Sequence, residues 1–591
     1  MSIVHSDRQV INIDFIMRVF EFIVSKTELQ NTLANALIQM GSEPIPKNAS
    51  MMGVIHVIIG LFAPPYYLED SSAFESGLYQ FCKQLNDGTD KCGKDEIVKW
   101  LSSCVSESQF RHLFTTLYMF ITIRMVDIGN DFELAQFERF RHVMETIDLL
   151  HRANEKVRYI EWHEFYQSGL NEVLGESKAL LFHDHKEWFM KRLGTEIVDT
   201  DTEKRVSYCE FPYILNPASK AALLEHEVRA SQNFNEIVHG FPTVMITIRR
   251  MFLVEDALNQ VTQVPKEDLK SKLRVQFVGE EGVDEGGVRK EFFLLLTRKL
   301  LDPNYGMFIE DPESKYLWFN ANSLENPIEF ELIGRLLGMA IYNSVILDIH
   351  FPNSLYAMLF GNSPTLKDMK ELSPSLGNGL EKLLTYEGDV ENTFCRSFDI
   401  SFDVYGEMKT VELKPNGSSI PVTEENRKEY VDLYVDYQMK RSVKKQFEAF
   451  AKGFHDAFDS DLLHLFRPEE LELLICGSPS FDFEDLEDST EYDDGYTETS
   501  EVVLWFWEVA HKMSLEEKKK FLMFATGTDR VPIRGLGYLQ LKISRQGSDS
   551  ERLPTAHTCF CHLLLPEYSS KEKLEKKLLL AIKHSEGFGT L

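Results

Sequence analysis

A strong helix signal, EELELLI from Glu469 to Ile475, runs into Cys476-Gly477-Ser478-Pro479, and the sequence beyond that break has a different character. Glycine weakens a helix and proline cannot continue one, so the chain must change course here. Downstream, Ser500 to Met513 has helical, aromatic-rich spacing, and Leu539, Leu541 and Ile543 of YLQLKI alternate with polar residues as a strand does. A last helix is expected after Ser569, which caps it, with Glu572 closing a capping box and Leu574, Leu578 and Ile582 on one face. The break therefore separates an α-rich region from a compact α/β unit. The acidic run between them, Asp482 to Asp494, lacks the ligand spacing of a calcium loop and is expected as a solvated, flexible segment.

Upstream to about Leu150, apolar residues recur at three- and four-residue spacing, as in FIMRVFEFIVSKTELQNTLANALIQM and FRHLFTTLYMFITIRMV, which predicts helices. WHEFYQSGLNEVL reads as a further helix, and CEFPYILNPASKAAL as a loop that enters one at Asn216-Pro217. The character shifts near Arg249: LRVQFVGEEG places Leu273, Val275 and Phe277 on one face of a strand, and the glycine turns of GEEGVDEGG follow. Long helical stretches, IEFELIGRLLGMAIYNSVIL and KKQFEAFAKGFHDAF, then fill the α-rich region.

Charge narrows the partners. Against 63 Lys and Arg stand 93 Asp and Glu, a formal net charge of −30 that repels phosphate backbones and anionic lipid headgroups. Nucleic acid and membrane insertion are therefore not expected. The apolar run Met51 to Ala63 contains His56 and two glycines and is shorter than the ~20 residues that span a bilayer, so a buried helix is expected there. The start, MSIVHSDRQV, lacks the basic and apolar regions of a secretory signal. Eight scattered cysteines without a CxxC pair offer neither a disulfide framework nor a zinc ligand set, which points to free thiols in a reducing intracellular compartment.

Two motifs carry candidate chemistry. GEEGVDEGG resembles a phosphate cradle in its glycines, but Glu280, Glu281, Asp284 and Glu285 would repel the phosphate and no lysine offsets them, so a structural turn between strand and helix is favoured. LPTAHTCFCHLLLPEY (Leu553 to Tyr568) is denser, with Cys559 and Cys561 beside His557 and His562. Structural zinc needs a second ligand pair that the sequence does not provide. Two readings stay open on the residues alone: small apolar cysteines on a buried strand, or a reachable, reactive Cys559 where a turn meets a strand. Pro554 and Pro566, the polar Thr555 and Thr558, and the loop-like GSDSER before them favour the second.

These residues resemble the catalytic end of a HECT-type E3 ubiquitin ligase, most of all the subgroup of the E6-associated protein. The resemblance also covers FVGEEGVDEGGVRKEFF, LLGMAIYNSVILDIHFP, IPVTEENRKEYV, FRPEELELLICGS and TGTDRVPIRGLG, from about Arg249 to Leu591. It implies an α+β, bilobal HECT domain: an N-lobe over 249–476 that docks a ubiquitin-conjugating enzyme, a hinge over 477–480 built on Gly477, Ser478 and Pro479, and a C-lobe over 481–591. A mostly helical region, 1–248, would precede it and recruit substrates or regulate the lobes. Cys559 takes the catalytic position, His557 and Thr558 match the motif beside it, and Phe588 matches the C-terminal phenylalanine of the family.

The resemblance further assigns conjugating-enzyme docking to SPSLGNGLEKLLTYEG, where Leu376, Leu380, Leu383 and Tyr386 fall on one helical face, and where Gly377, Asn378 and Gly379 are expected to weaken the helix into a shallow groove. Such a stripe is otherwise read as core. Partners would be that enzyme, ubiquitin and protein substrates, with no metal or organic cofactor, in the cytoplasm or also the nucleus. Cys561 departs from the asparagine that related ligases often carry, and no cysteine before Cys82 exists to form the zinc module of the subgroup's vertebrate members. A cysteine hydrolase and an inert docking scaffold are the competing functions.

Overall fold

A computed structural model describes residues 82, 83, 86, 94–128, 137–176, 208–239, 243–280, 286–404, 406–458, 461–558 and 561–583. The chain divides into two compact units, Met1–Leu223 and Leu224–Leu591. The expected helix over FIMRVFEFIV and the apolar run at Met51 lie outside the described residues. Among the described residues no helix is long and apolar enough to cross a membrane.

The first unit is helical where described. Three helices, α1 (Lys94–Cys104), α2 (Glu107–Ile128) and α3 (Phe137–Val157), bury Leu101, Phe110, Leu117, Ile147 and Leu150, as their three- and four-residue spacing predicts. WHEFYQSGLNEVL is not one helix: a 3-10 turn, Trp162–Phe165, is separated from α4 (Ser168–Glu176) by extended backbone at Tyr166. Phe165, fully buried, is the reason for the break, since a continuous helix would carry it away from His151 and Tyr213, whose rings it meets. The loop before Pro217 behaves as expected: the Asn216 side chain accepts the Ser219 N–H at 2.8 Å and Pro217 opens α5 (Pro217–His239).

The second unit begins within α5, ahead of the boundary expected at residue 248. The reason lies in strand pairing: β1 (Thr243–Ile248) lies parallel to β2 (Lys272–Phe277), so the residues before Arg249 fold with those after it. Along β2 exposure alternates strictly, with Leu273, Val275 and Phe277 inward. Residues 281–285 of the glycine turn lie outside the described residues, and its ends join β2 to α6 (Gly287–Leu301) as the structural reading of that loop requires.

The centre of the helical half is a pair of helices, α7 (Pro327–Tyr342) and α8 (Lys444–Ala457). Their backbones touch. A Cβ on Gly334 would lie 2.0 Å from the Phe450 carbonyl oxygen, and one on Gly453 would lie 2.0 Å from that of Glu331. These glycines let Phe330, Leu337, Phe450 and Phe454 close into one core.

From Phe483 to Ile582 the chain builds a separate hydrophobic core. Its sheet is made of β3 (Glu491–Asp493), β4 (Lys542–Arg545), β5 (Thr555–His557) and β6 (His562–Leu565), in the spatial order β3-β4-β6-β5. The pairings β3–β4 and β4–β6 are parallel, and β5–β6 is an antiparallel hairpin. The acidic run is not a flexible segment: Asp482 caps a helix over Phe483–Asp488, and Phe483 and Leu486 are buried three positions apart. Leu539 belongs to a 3-10 turn, because Gln540 adopts a left-handed conformation (φ 49°) and only then does the strand begin. The last helix, α9 (Lys571–Lys583), buries Leu574, Leu578 and Ile582 as expected. Its cap is Ser570, whose hydroxyl accepts the Lys573 N–H, while the Ser569 N–H donates to Asp549.

Candidate active site

The hairpin β5–β6 positions the densest chemistry of the chain. Leu563 and Leu565 anchor β6 in the core with no exposure, and Tyr496 donates its hydroxyl to the Leu565 carbonyl at 3.1 Å. On β5, the Thr555 hydroxyl accepts the Gln546 amide, and Pro554 is buried at the strand's start. These anchors fix the hairpin and leave its open end to present side chains. At that end His557 and His562 pair directly across the strands, their rings 5.9 Å apart. Four residues, Thr558 to Cys561, connect them.

Thr558 is buried and His557 is exposed. Cys559, Phe560 and Phe588 lie outside the described residues. His562 shares a 2.7 Å hydrogen bond with the hydroxyl of Ser544, which is fully buried on β4. Burial, then the His557 and Lys542 charges, push the His562 imidazole toward its neutral form. Cys561 adopts a left-handed backbone (φ 49°), and its carbonyl accepts the Lys542 N–H at 3.0 Å. Asparagine tolerates that conformation better than cysteine does, so the residue expected here from related ligases also suits the turn's backbone. Among the described residues no group of three or more His, Cys, Asp and Glu is placed to hold a metal ion.

The segment expected as a tether is more constrained than its composition suggests. Gly477 ends the helix Pro468–Cys476 with φ 78°, and a Cβ there would meet the Val531 carbonyl at 2.3 Å. That same carbonyl accepts the Ser478 N–H at 2.8 Å. Cys476, just before the turn, is buried against the Tyr356 hydroxyl, and burial pushes its thiol up to about 12, so it is inert.

The helix that ends at Gly477 carries Glu472, pushed up to about 7 first by burial and then by the carboxylates of Glu371 and Glu469. Its ordinary value is 4.5, so the unfolded chain ionises before the folded one. Stability from this group is full below that value, falls as pH rises toward about 7, and levels off above. Glu472→Gln should remove this decline and raise stability at pH 8 by about 1–3 kcal/mol. Urea unfolding of both proteins between pH 4.5 and 8 checks this, and parallel curves would contradict it.

The stripe expected to dock a partner is divided by its burial. It lies on a continuous helix, Pro374–Thr385, in which Leu380 and Leu383 are buried (6% and 3% exposed), Leu376 is half-buried and Tyr386, at the C-terminal end, is 38% exposed. Gly377 does not loosen the helix: it sits where a Cβ would strike the backbone of Lys370 at 2.5 Å, and so permits close packing with the helix Leu366–Leu372. Tyr386 stacks edge-on against Phe394 and its carbonyl accepts the Arg427 guanidinium at 2.6 Å, which holds the ring at the surface.

Comparison with known proteins settles the family. A family model described as "HECT-domain (ubiquitin-transferase)" matches residues 294–591, about half of the chain. The chain belongs to the HECT-domain family. Among its relatives, the probable E3 ubiquitin-protein ligase HERC4 of Homo sapiens is 39% identical over 77% of this chain and 45% of its own length. The probable E3 ubiquitin-protein ligase HECTD2 of Mus musculus is 36% identical over 83% of the chain and 66% of its own length. The probable E3 ubiquitin-protein ligase mug30 of Schizosaccharomyces pombe is 36% identical over 75% and 57%. The chain thus spans less than half the length of HERC4. HERC4 and HECTD2 stand among these relatives, which corrects the subgroup of the E6-associated protein that the motifs suggested. The matches with these relatives cover 75–83% of the chain and so extend upstream of the HECT region.

The motif reading passed over one set of residues in this HECT protein. TGTDRVPIRGLG carried part of the resemblance but no assigned role, yet Thr526, Arg530, Val531 and Arg534 within it all reach groups upstream of Ser480. Two arginines in a short connector were the available signal.

Proposed function

We propose that the chain is an E3 ubiquitin ligase that takes ubiquitin from a conjugating enzyme as a thioester on Cys559 and passes it to lysines of protein substrates. The observation that carries this reading is the HECT-family match together with AHTCF, whose cysteine falls between the paired His557 and His562. The Cys559 thiolate attacks the carbonyl carbon that joins ubiquitin's C-terminus to the conjugating enzyme, and the C–S bond to that enzyme breaks with its sulfur leaving as thiolate. A lysine amine then forms the C–N bond, loses its proton, and expels the Cys559 sulfur.

Thioester exchange is close to isoenergetic and amide formation is downhill, so the protein's part is positioning. His557 and Thr558 are assigned to shaping the site and Phe588 to placing the transferring group. Residues 249–476, together with the paired strand β1, act as the N-lobe, 477–480 as the hinge and 481–591 as the C-lobe, with the chain upstream recruiting substrates or regulating the lobes, inside the cell. Docking of the conjugating enzyme is assigned to the face that carries Leu376 and Tyr386, with Leu380 and Leu383 supporting it from beneath.

Incubation with a ubiquitin-loaded conjugating enzyme, followed by a non-reducing gel, tests the proposal. It expects an adduct of the chain with ubiquitin that thiol reagents remove and that Cys559→Ala does not form. An adduct of equal yield in Cys559→Ala would rule it out.

A further inference from the structure

We propose that the strip Thr526–Tyr538 is a docking key that parks the α/β half against the helical half, and that Glu225 on α5 is its latch. Arg530 pairs with Asp348 and lies 3.3 Å from the His350 ring, while Lys290 donates to the Thr526 carbonyl at 3.1 Å. At the end of the strip the Glu225 carboxylate accepts the Tyr538 hydroxyl at 2.9 Å and the Arg534 guanidinium at 3.4 Å. Arg534 in turn lies flat over the Tyr538 ring, 4.0 Å from its centre.

Glu225, Arg534 and Tyr538 form a closed triangle, with each pair in direct contact. The two ionic side chains are mostly withdrawn from water, 27% and 16% exposed, so salt screens them less than it would a surface pair. Burial and the Glu225 charge both push the Tyr538 phenol up, which keeps it protonated as the donor that the triangle requires. The key is basic through Arg530 and Arg534 and its seats are acidic through Asp348 and Glu225, which fixes the register of docking.

The anchors of the β5–β6 hairpin run to Ser544, Gln546 and Tyr496 inside the α/β half. Resting on the proposed transfer reaction, the latch restrains the α/β half between rounds, and release of Glu225 frees it to swing about Gly477.

The test uses the full chain with Cys559→Ala, labelled with a dye pair at Lys299 and Lys576, both exposed on helices of opposite halves. Single-molecule energy transfer reads the docked and undocked populations. Glu225→Lys and Arg534→Glu are each expected to shift that ratio about five- to thirtyfold toward the undocked state, and the double variant to restore it. Tyr538→Phe, which keeps the ring under Arg534, should give a smaller shift in the same direction. In the same variants carrying Cys559, adduct formation with a loaded conjugating enzyme should accelerate.

Unchanged populations in both single reversals would overturn the latch, and an undocked variant that loads more slowly would overturn the parked assignment. Absence of an adduct in every protein, the unaltered one included, would count against the transfer reaction alone, since energy transfer still decides the latch. Unfolding midpoints within a few degrees of the parent exclude loss of fold as the cause.

Discussion

Gly453→Val is expected to leave the chain without a cooperative unfolding transition in its helical half. A Cβ at this position would stand 2.0 Å from the Glu331 carbonyl oxygen and 3.0 Å from the Arg335 nitrogen, both backbone atoms of the opposing helix that no rotamer can move aside. Gly334 and Gly338 face the same seam from the other side, so the two backbones are in contact over successive turns. Relief requires the helices to separate, which strips contacts from Phe330, Phe450 and Phe454, each exposed by 1% or less. Ordinary overpacking costs about 1–3 kcal/mol, and a rigid backbone clash on both flanks exceeds that, against a total stability of about 5–15 kcal/mol. Gly379→Ala is the control: the position is helical, an added methyl would meet no atom within 4 Å, and the variant should gain about 0.5–1 kcal/mol. Urea unfolding followed by circular dichroism reads both. Equal midpoints for the two variants would mean that the helices do not meet as described.

Cys559→Ser is expected to trap ubiquitin on the proposed ligase. A hydroxyl is almost un-ionised at neutral pH whereas a thiol is a few per cent thiolate, so loading slows. What does form is an oxygen ester, stable to thiol reagents and cleaved by alkali. Its poorer leaving group should slow transfer to lysine by about a thousandfold or more. A pulse of loaded conjugating enzyme chased with free lysine separates the two steps. Chase kinetics equal to those of the parent would show that the acyl group never resides on residue 559.

Sequence pattern revealed those parts whose partners are close along the chain. The period of Leu574, Leu578 and Ile582 and the alternation of Leu273, Val275 and Phe277 are local signals, and both faces are buried as read. The strands on either side of the Cys559 motif lie just inside Pro554 and Pro566, and the pairing of His557 with His562 follows once the hairpin is seen. Misreadings arose where a local signal hid a distant contact. Charges concealed Phe483 and Leu486, which are held by the core of the α/β half. Glycines that suggested a loose docking helix are in part close-packing devices, as Gly377 against Lys370 shows. No local pattern could join Glu225 to Tyr538, since the pairing depends on how two remote stretches fold together.

The parallel pairing of β1 with β2 has a practical corollary for anyone trimming this protein. A fragment cut at Arg249, where the composition changes, would discard the one strand that β2 bonds to among the described residues and bare a ladder edge prone to self-association. Starting the fragment at Pro217 instead retains that neighbour and the whole of α5.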